Sequence, residues 1–220
     1  MALTDTQRDD VLWAARAGDT EALAETLVEA KAEIGDALAC KNDMMNTPLH
    51  FSAANGHIDF VRHVLPHAGL RDLLSQNDSG NTPLHWAAFN GHADVVTALV
   101  DAIDAAESAD AALASELRAA EDAREAERFK SMAENKVQEK DFEAAAARHI
   151  QQQHDRALWD VRNKAGHGPM SEAQMSDNEQ IVQLLLDRLA RGDDALAAGG
   201  APAEPDANGA ANGVSRLDIS

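Results

Sequence analysis

Asn46-Thr47-Pro48-Leu49-His50-Phe51-Ser52-Ala53-Ala54-Asn55-Gly56-His57 returns as Asn81-Thr82-Pro83-Leu84-His85-Trp86-Ala87-Ala88-Phe89-Asn90-Gly91-His92, with Thr47 reappearing as Thr82, 35 positions on. Self-similarity at such a period marks a stack of short units, none of which can bury its apolar face alone. Stacks of this kind build long recognition surfaces, so recognition comes before chemistry in reading this chain. The constant residues have mechanical jobs. Pro48 and Pro83 suit the first helical position, where no N–H partner is lost. Gly56 and Gly91 allow the chain to reverse between two helices. Gly80 and Gly166 fall in turns that need positive φ, and Met45 stands where the second unit should have its turn glycine, which predicts a distorted hairpin there.

The phrase extends in both directions. Upstream, Val11-Leu12-Trp13-Ala14-Ala15-Arg16-Ala17-Gly18-Asp19 matches its second half, and Thr20 to Ala30 read as an outer helix with Leu23 and Leu27 on one face. No Thr-Pro-Leu-His precedes it, which suits a terminal, capping unit. Thr4 with Gln7 forms a candidate capping box for its first helix. Downstream, Arg162-Asn163-Lys164-Ala165-Gly166-His167-Gly168-Pro169 keeps the frame, with Asn163, Gly166 and Pro169 where Asn77, Gly80 and Pro83 fell. Ile181, Val182, Leu184, Leu185 and Leu186 supply its outer helix. The whole pattern resembles the ankyrin repeat. The expected fold is all-α: an ankyrin-repeat helical solenoid with short hairpin turns and a long helical insertion before the last repeat. The divisions are 1–101 for repeats one to three, 102–160 for a charged Ala/Glu-rich insertion, 161–192 for the final repeat and 193–220 for a disordered tail.

The insertion holds no Gly or Pro and is rich in good helix formers. Opposite charges meet at helical spacing in Glu121/Arg124, Glu125/Arg128, Arg118/Asp122 and Lys130/Glu134, while Glu121/Glu125 repel. One long helix or a helical hairpin follows. Leu113, Leu117, Phe129, Met132, Val137, Phe142 and Ile150 keep no steady heptad, so a dimerising coiled coil is the weaker alternative. The tail, from Gly199-Gly200-Ala201-Pro202 onward, lacks the apolar residues to fold.

Composition narrows the partners. Acidic residues number 38 against 19 basic ones, a formal charge of −19. Such a surface repels nucleic acid and anionic lipid and steers basic proteins inward, or serves solubility alone. The one cysteine, Cys40, allows no intrachain disulfide and no multi-cysteine zinc site. The N-terminus has no basic start followed by an apolar run, so no signal peptide is expected. No apolar stretch approaches the roughly 20 residues that span a bilayer. A soluble cytosolic or nuclear protein is the expectation.

Nine histidines raise the question of a metal. The ankyrin resemblance implies that His50 and His85 bond to backbone and to the turn threonine, and that His57 and His92 are structural. His63 and His67 are separated by Pro66, which breaks the helix that would align them. His149 and His154, five apart, turn away from each other, and neither pair has a specified third ligand. Nucleophile, phosphate-loop and paired-carboxylate signatures are absent. The expectation is no enzyme, no cofactor and no metal.

Binding has better support. The variable inner-helix positions read Trp13, Phe51 and Trp86, then Arg16, Ala54 and Phe89, then Ala17, Asn55 and Asn90. Aromatic groups thus align in a chain with only 4% aromatics, and such residues anchor interfaces. Phe51 and Trp86 can equally be half-buried, packing one inner helix on the next. Asp43, Met44, Asp78 and Ser79 mark hairpin tips. The candidate partner-binding set is Trp13, Asp43, Met44, Phe51, Asn55, Asp78, Ser79, Trp86, Phe89 and Asn90.

Ala15-Arg16-Ala17-Gly18-Asp19, Ala53-Ala54-Asn55-Gly56-His57-Ile58, Gly80-Asn81-Thr82-Pro83-Leu84-His85-Trp86 and above all Arg162-Asn163-Lys164-Ala165-Gly166-His167 resemble the fungal Yar-one family of ankyrin-repeat proteins. That family is a set of dedicated chaperones for the small-subunit ribosomal protein S-three. The resemblance implies a non-catalytic monomer that holds a basic ribosomal protein on an acidic, aromatic-lined concave face until nuclear import and 40S assembly. It implies residence in cytoplasm and nucleus, with no direct nucleic-acid or membrane contact. An adaptor of another complex, dimerising through the insertion, is the alternative.

Overall fold

A computed structural model describes residues 3–133 and 157–198, and every element within them is helical or a turn. The expected pair Lys130/Glu134, the apolar positions Val137, Phe142 and Ile150, and His149 and His154 fall outside the described residues. The first repeat is α1 (Asp5–Ala17) and α2 (Thr20–Ala30). A short α3 (Ile34–Leu38) leads to the second repeat, α4 (Pro48–Ala54) and α5 (Ile58–Val64). A 3₁₀ turn and α6 (Leu70–Leu73) lead to the third, α7 (Pro83–Phe89) and α8 (Ala93–Ala109). The insertion contributes α9 (Ala111–Ala133), and the last repeat is α10 (Pro169–Met175) and α11 (Glu179–Ala198). The inner helices α1, α4, α7 and α10 pack side by side in that order, with the outer helices behind them.

The caps follow from the residues. Thr4 and Gln7 form the capping box: the Gln7 N–H donates to Thr4 Oγ1 at 3.3 Å, and the Thr4 N–H donates to Gln7 Oε1 at 3.0 Å. In α4 and α7 a histidine does the work of the usual glutamate. The Thr47 N–H donates to His50 Nδ1 at 3.1 Å, and the Thr82 N–H donates to His85 Nδ1 at 3.1 Å.

Met45 does not distort its hairpin. It adopts φ +61, the left-handed conformation held by Gly80 and Gly166 in the next two hairpins. Its N–H donates to Asn42 O at 2.9 Å, as the Gly80 N–H does to Asn77 O at 2.8 Å and the Gly166 N–H to Asn163 O at 2.9 Å. The repeat geometry overrides the local preference, at a cost of about 1–2 kcal/mol for a side chain in that region. Met45→Gly is therefore expected to raise unfolding stability by about 1 kcal/mol, read from urea midpoints at unchanged slope.

The helix-reversing glycines serve the stack as well as the turn. A Cβ on Gly56, at φ +71, would lie 2.6 Å from His92 Nδ1, and one on Gly18 would lie 2.6 Å from the His57 ring. Each histidine ring sits against the glycine of the preceding repeat and reaches a carbonyl at the end of that repeat's inner helix. His57 Nε2–H donates to Arg16 O at 2.8 Å and His92 Nε2–H to Ala54 O at 3.1 Å. Asn178 takes the role in the last repeat, donating to Ala88 O at 3.0 Å and Phe89 O at 2.9 Å.

The described part of the insertion begins as a hairpin of α8 and α9 that packs on the repeats. The outer helix α8 runs to Ala109, past the expected boundary at 101, before Asp110 breaks it. Helix α9 then turns back, and Arg118 pairs with Glu107 of α8 rather than with Asp122. Ala114 is buried, and Leu113 and Leu117 pack on the core. Glu121/Arg124 and Glu125/Arg128 pair as expected, both at 2.9 Å. They also reach the hairpins of repeats three and four: Arg124 donates to Gln76, the Arg162 N–H to Glu121 at 3.0 Å, and Arg128 to Asn163 O at 2.9 Å. Most of the helix is thus spent against its own repeats. At the far end, α11 continues through Ala198, six residues into the expected tail, because Asp193-Asp194-Ala195-Leu196-Ala197-Ala198 is a good helix sequence that stops at Gly199-Gly200. The rest of the tail lies outside the described residues.

One core residue escaped the sequence reading. Trp159, inside the expected insertion, is buried. It stands four positions before Asn163, as Leu38 stands before Asn42 and Leu73 before Asn77, and all three plug the base of a hairpin.

Candidate functional site

The inner helices present their equivalent residues side by side. Along one row run Trp13, Phe51, Trp86 and Glu172; along the next, Arg16, Ala54, Phe89 and Met175. Exposure separates them. Trp13 is 62% exposed, Phe89 50% and Met175 64%, far above what buried aromatic and thioether groups retain. Met175 is an exposed apolar residue of this row that the sequence reading missed; it occupies in α10 the position of Phe89 in α7.

Phe51 leaves the candidate set. It is only 6% exposed, and the Arg16 guanidinium lies over its ring, 4.5 Å from the centroid. The ring also makes a T-shaped contact with Trp86, at 6.3 Å between centroids and 81° between planes. The inner helices approach closely enough for the ring to fill the gap between α1, α4 and α7, so Arg16 is what a partner meets there. Trp86 is half-buried, edge-on also to His50 at 5.8 Å, and combines packing with access.

Asn55 and Asn90 are exposed, but their amide N–H groups cap helix ends, donating to Phe51 O at 2.8 Å and Trp86 O at 2.9 Å. Asp43, Met44, Asp78 and Ser79 are all exposed on the hairpin tips, with Met44 at 65%. The tips are stitched together: the Asp78 N–H donates to Met44 O at 3.0 Å and the Lys164 N–H to Ser79 O at 3.0 Å. A buried amide pairing runs beneath them, Asn77 to Asn46 at 2.8 Å and Asn163 to Asn81 at 2.8 Å.

The charge of this face differs from the expected acidic surface. Asp43 and Asp78 place the acidity on the rim. Across α1, α4 and α7 the two rows carry no carboxylate and one cation, Arg16, while the exposed Asp9 and Asp10 lie one turn before Trp13 on α1. Glu172, in the fourth helix, is occupied by Asn163 at 2.7 Å and His167 at 3.4 Å. The bulk charge lies elsewhere, as in the exposed Glu21, Glu25 and Glu29 of α2.

The repeat histidines are architecture. The Thr47 and Thr82 hydroxyls lie 2.8 Å from His50 and His85 Nδ1, and Nε2–H donates across the joint to Asn81 O at 2.9 Å and His167 O at 3.1 Å. Burial pushes both imidazoles down to about 4, so they are neutral at pH 7, each with its proton on Nε2. Among the described residues no three His, Cys, Asp or Glu side chains are placed to hold a metal ion.

Residues 11–109 match the family model for ankyrin repeats, in three copies. None of the curated proteins matches the chain. Among solved structures, the chain is similar to one in the crystal structure of the yeast ribosomal protein Rps3 in complex with its chaperone Yar1. The identity is 25% and the TM-score 0.55, over 84% of this chain and 95% of that one. The chain is an ankyrin-repeat solenoid that serves protein interaction.

Proposed function

We propose that this chain is a non-catalytic chaperone of a basic ribosomal protein of the small subunit, the counterpart of Rps3. The observation that carries the reading is the likeness to the Rps3–Yar1 complex, which spans nearly the whole of that chain and so reaches beyond the three repeats of the family model. The groove fits the task. Trp13, Trp86, Phe89 and Met175 offer apolar contact, and Asp43 and Asp78 on the rim attract a basic client. The chaperone works as a monomer and binds neither nucleic acid nor membrane. It keeps the client soluble in the cytoplasm and accompanies it into the nucleus for 40S assembly.

The test is to mix the protein with purified Rps3 and measure affinity across a salt series. Binding that weakens with salt is expected, since the steering charges are exposed. Phe89→Ala with Met175→Ala should weaken it about tenfold or more, while removal of residues 199–220 should leave it unchanged. Absence of binding even at low salt rules the reading out. Equal loss from the groove variant and the tail deletion rules out the groove.

A further inference from the structure

The one cation in the two inner-helix rows is Arg16. Arg16 is exposed in the last turn of α1, and no carboxylate among the described residues pairs with it, in a chain with twice as many acidic as basic residues. Arg71 and Arg124, also exposed, find acids, Glu116 at 3.0 Å and Glu121 at 2.9 Å, whereas Arg62, like Arg16, has no ion pair among the described residues. Arg16 instead lies over Phe51, with Cζ 4.5 Å from the ring centroid, a cation–π contact that holds the guanidinium above the ring. Its backbone carbonyl is already taken by His57 at 2.8 Å. The helix C-terminus favours a cation there, but that accounts for charge and not for the seat over the ring. The result is a fork of N–H donors held over an aromatic ring and without an acid partner, bordered by Trp13 on its own helix and by Phe51 and Ala54 on the next.

A segment bound along the floor must cover this group. Covering an arginine without an acceptor loses its hydration with nothing in return, whereas a carboxylate meets the fork with two parallel hydrogen bonds. We propose that Arg16 determines specificity, and that the partner segment is basic overall but carries one Asp or Glu, flanked by apolar side chains, that docks on it. The apolar neighbours of that carboxylate lie on Trp13 and Phe89, and the segment's basic residues face Asp43 and Asp78. This inference rests on the chaperone reading above and adds to it a feature of the client.

The experiment uses the full chain and purified Rps3. A groove that simply attracts positive charge would bind Rps3 more tightly as Arg16→Glu, because the floor becomes acidic. The inference requires the opposite: Arg16→Glu weakens binding by about tenfold or more, and Arg16→Gln by less, with melting temperatures close to the parent's. Single Asp→Lys and Glu→Lys variants of Rps3 are then screened against Arg16→Glu. One of them should restore most of the lost affinity while binding the parent poorly. If Arg16→Glu binds as well as the parent or better, the inference falls and the chaperone reading stands. If Arg16→Glu weakens binding and no charge swap restores it, the carboxylate is overturned. If the parent itself does not bind Rps3, the chaperone reading fails and takes this inference with it.

Discussion

Acidification from pH 6.5 to 4 is expected to remove about 3 kcal/mol of stability for each of His50 and His85, estimated from the displacement of their titration. Both side chains are fully buried. Their folded values near 4 lie below the ordinary 6.5, because burial disfavours the imidazolium. The unfolded chain therefore takes up protons first as pH falls. The stabilisation is complete above 6.5, declines through the interval, and is gone below about 4. Protonating Nδ1 would also set an N–H against the Thr47 or Thr82 N–H that now donates to it. A domain of this kind is stable by only about 5–15 kcal/mol, so two such groups are a large share of the total. The measurement is urea unfolding at pH 7.5, 6, 5 and 4. The double variant His50→Gln/His85→Gln separates this cause from carboxylate titration. Glutamine keeps an acceptor for the threonine N–H but has no ionisable group. The variant should be weaker at pH 7.5 and lose much less on acidification; an unchanged slope would mean that other groups carry the effect.

Trp159→Ala should cost about 4 kcal/mol, the second large effect. The side chain is buried under the fourth hairpin, in the place held by Leu38 and Leu73 under the second and third. Removing it leaves a cavity in the apolar core, whose close packing relaxes only in part around a lost indole. Trp13→Ala is the control, since that side chain is 62% exposed and its loss should change stability by about 0.5 kcal/mol or less. Guanidinium titrations compare the two. Similar costs would overturn the assignment of Trp159 as the plug.

Trp159 also marks where the sequence stopped being legible. The repeat frame was readable because its residues act locally: Thr-Pro-Leu-His caps its own helix and Gly-His makes its own turn. Two printings of the phrase were enough to assign their roles before any contact was known. The frame from Asn77 to Asn163 pointed to Trp159 through Leu73, but the surrounding Ala/Glu-rich stretch hid it as part of an insertion. Phe51 was misplaced for a different reason. A helix pattern tells which face a residue occupies but not how near the next helix lies, and that distance decides whether an aromatic ring is floor or filler. The position of Met175 was available from the same frame, yet Glu172 beside it broke the aromatic row and drew attention away. The charge of the floor could not be read from a net value of −19, because that sum says nothing of where the acids sit.

The bonds across the joints have a mechanical consequence. Between repeats two and three the inner helices are tied at both ends, His50 to Asn81 O at one and His92 to Ala54 O at the other. Between three and four they are tied again at both, His85 to His167 O and Asn178 to Ala88 O. Between one and two the only such tie among the described residues is His57 to Arg16 O. The first joint thus leans on side-chain packing where the next two are also cross-stitched by their backbones, and Trp13 and Arg16 stand on the repeat held that way.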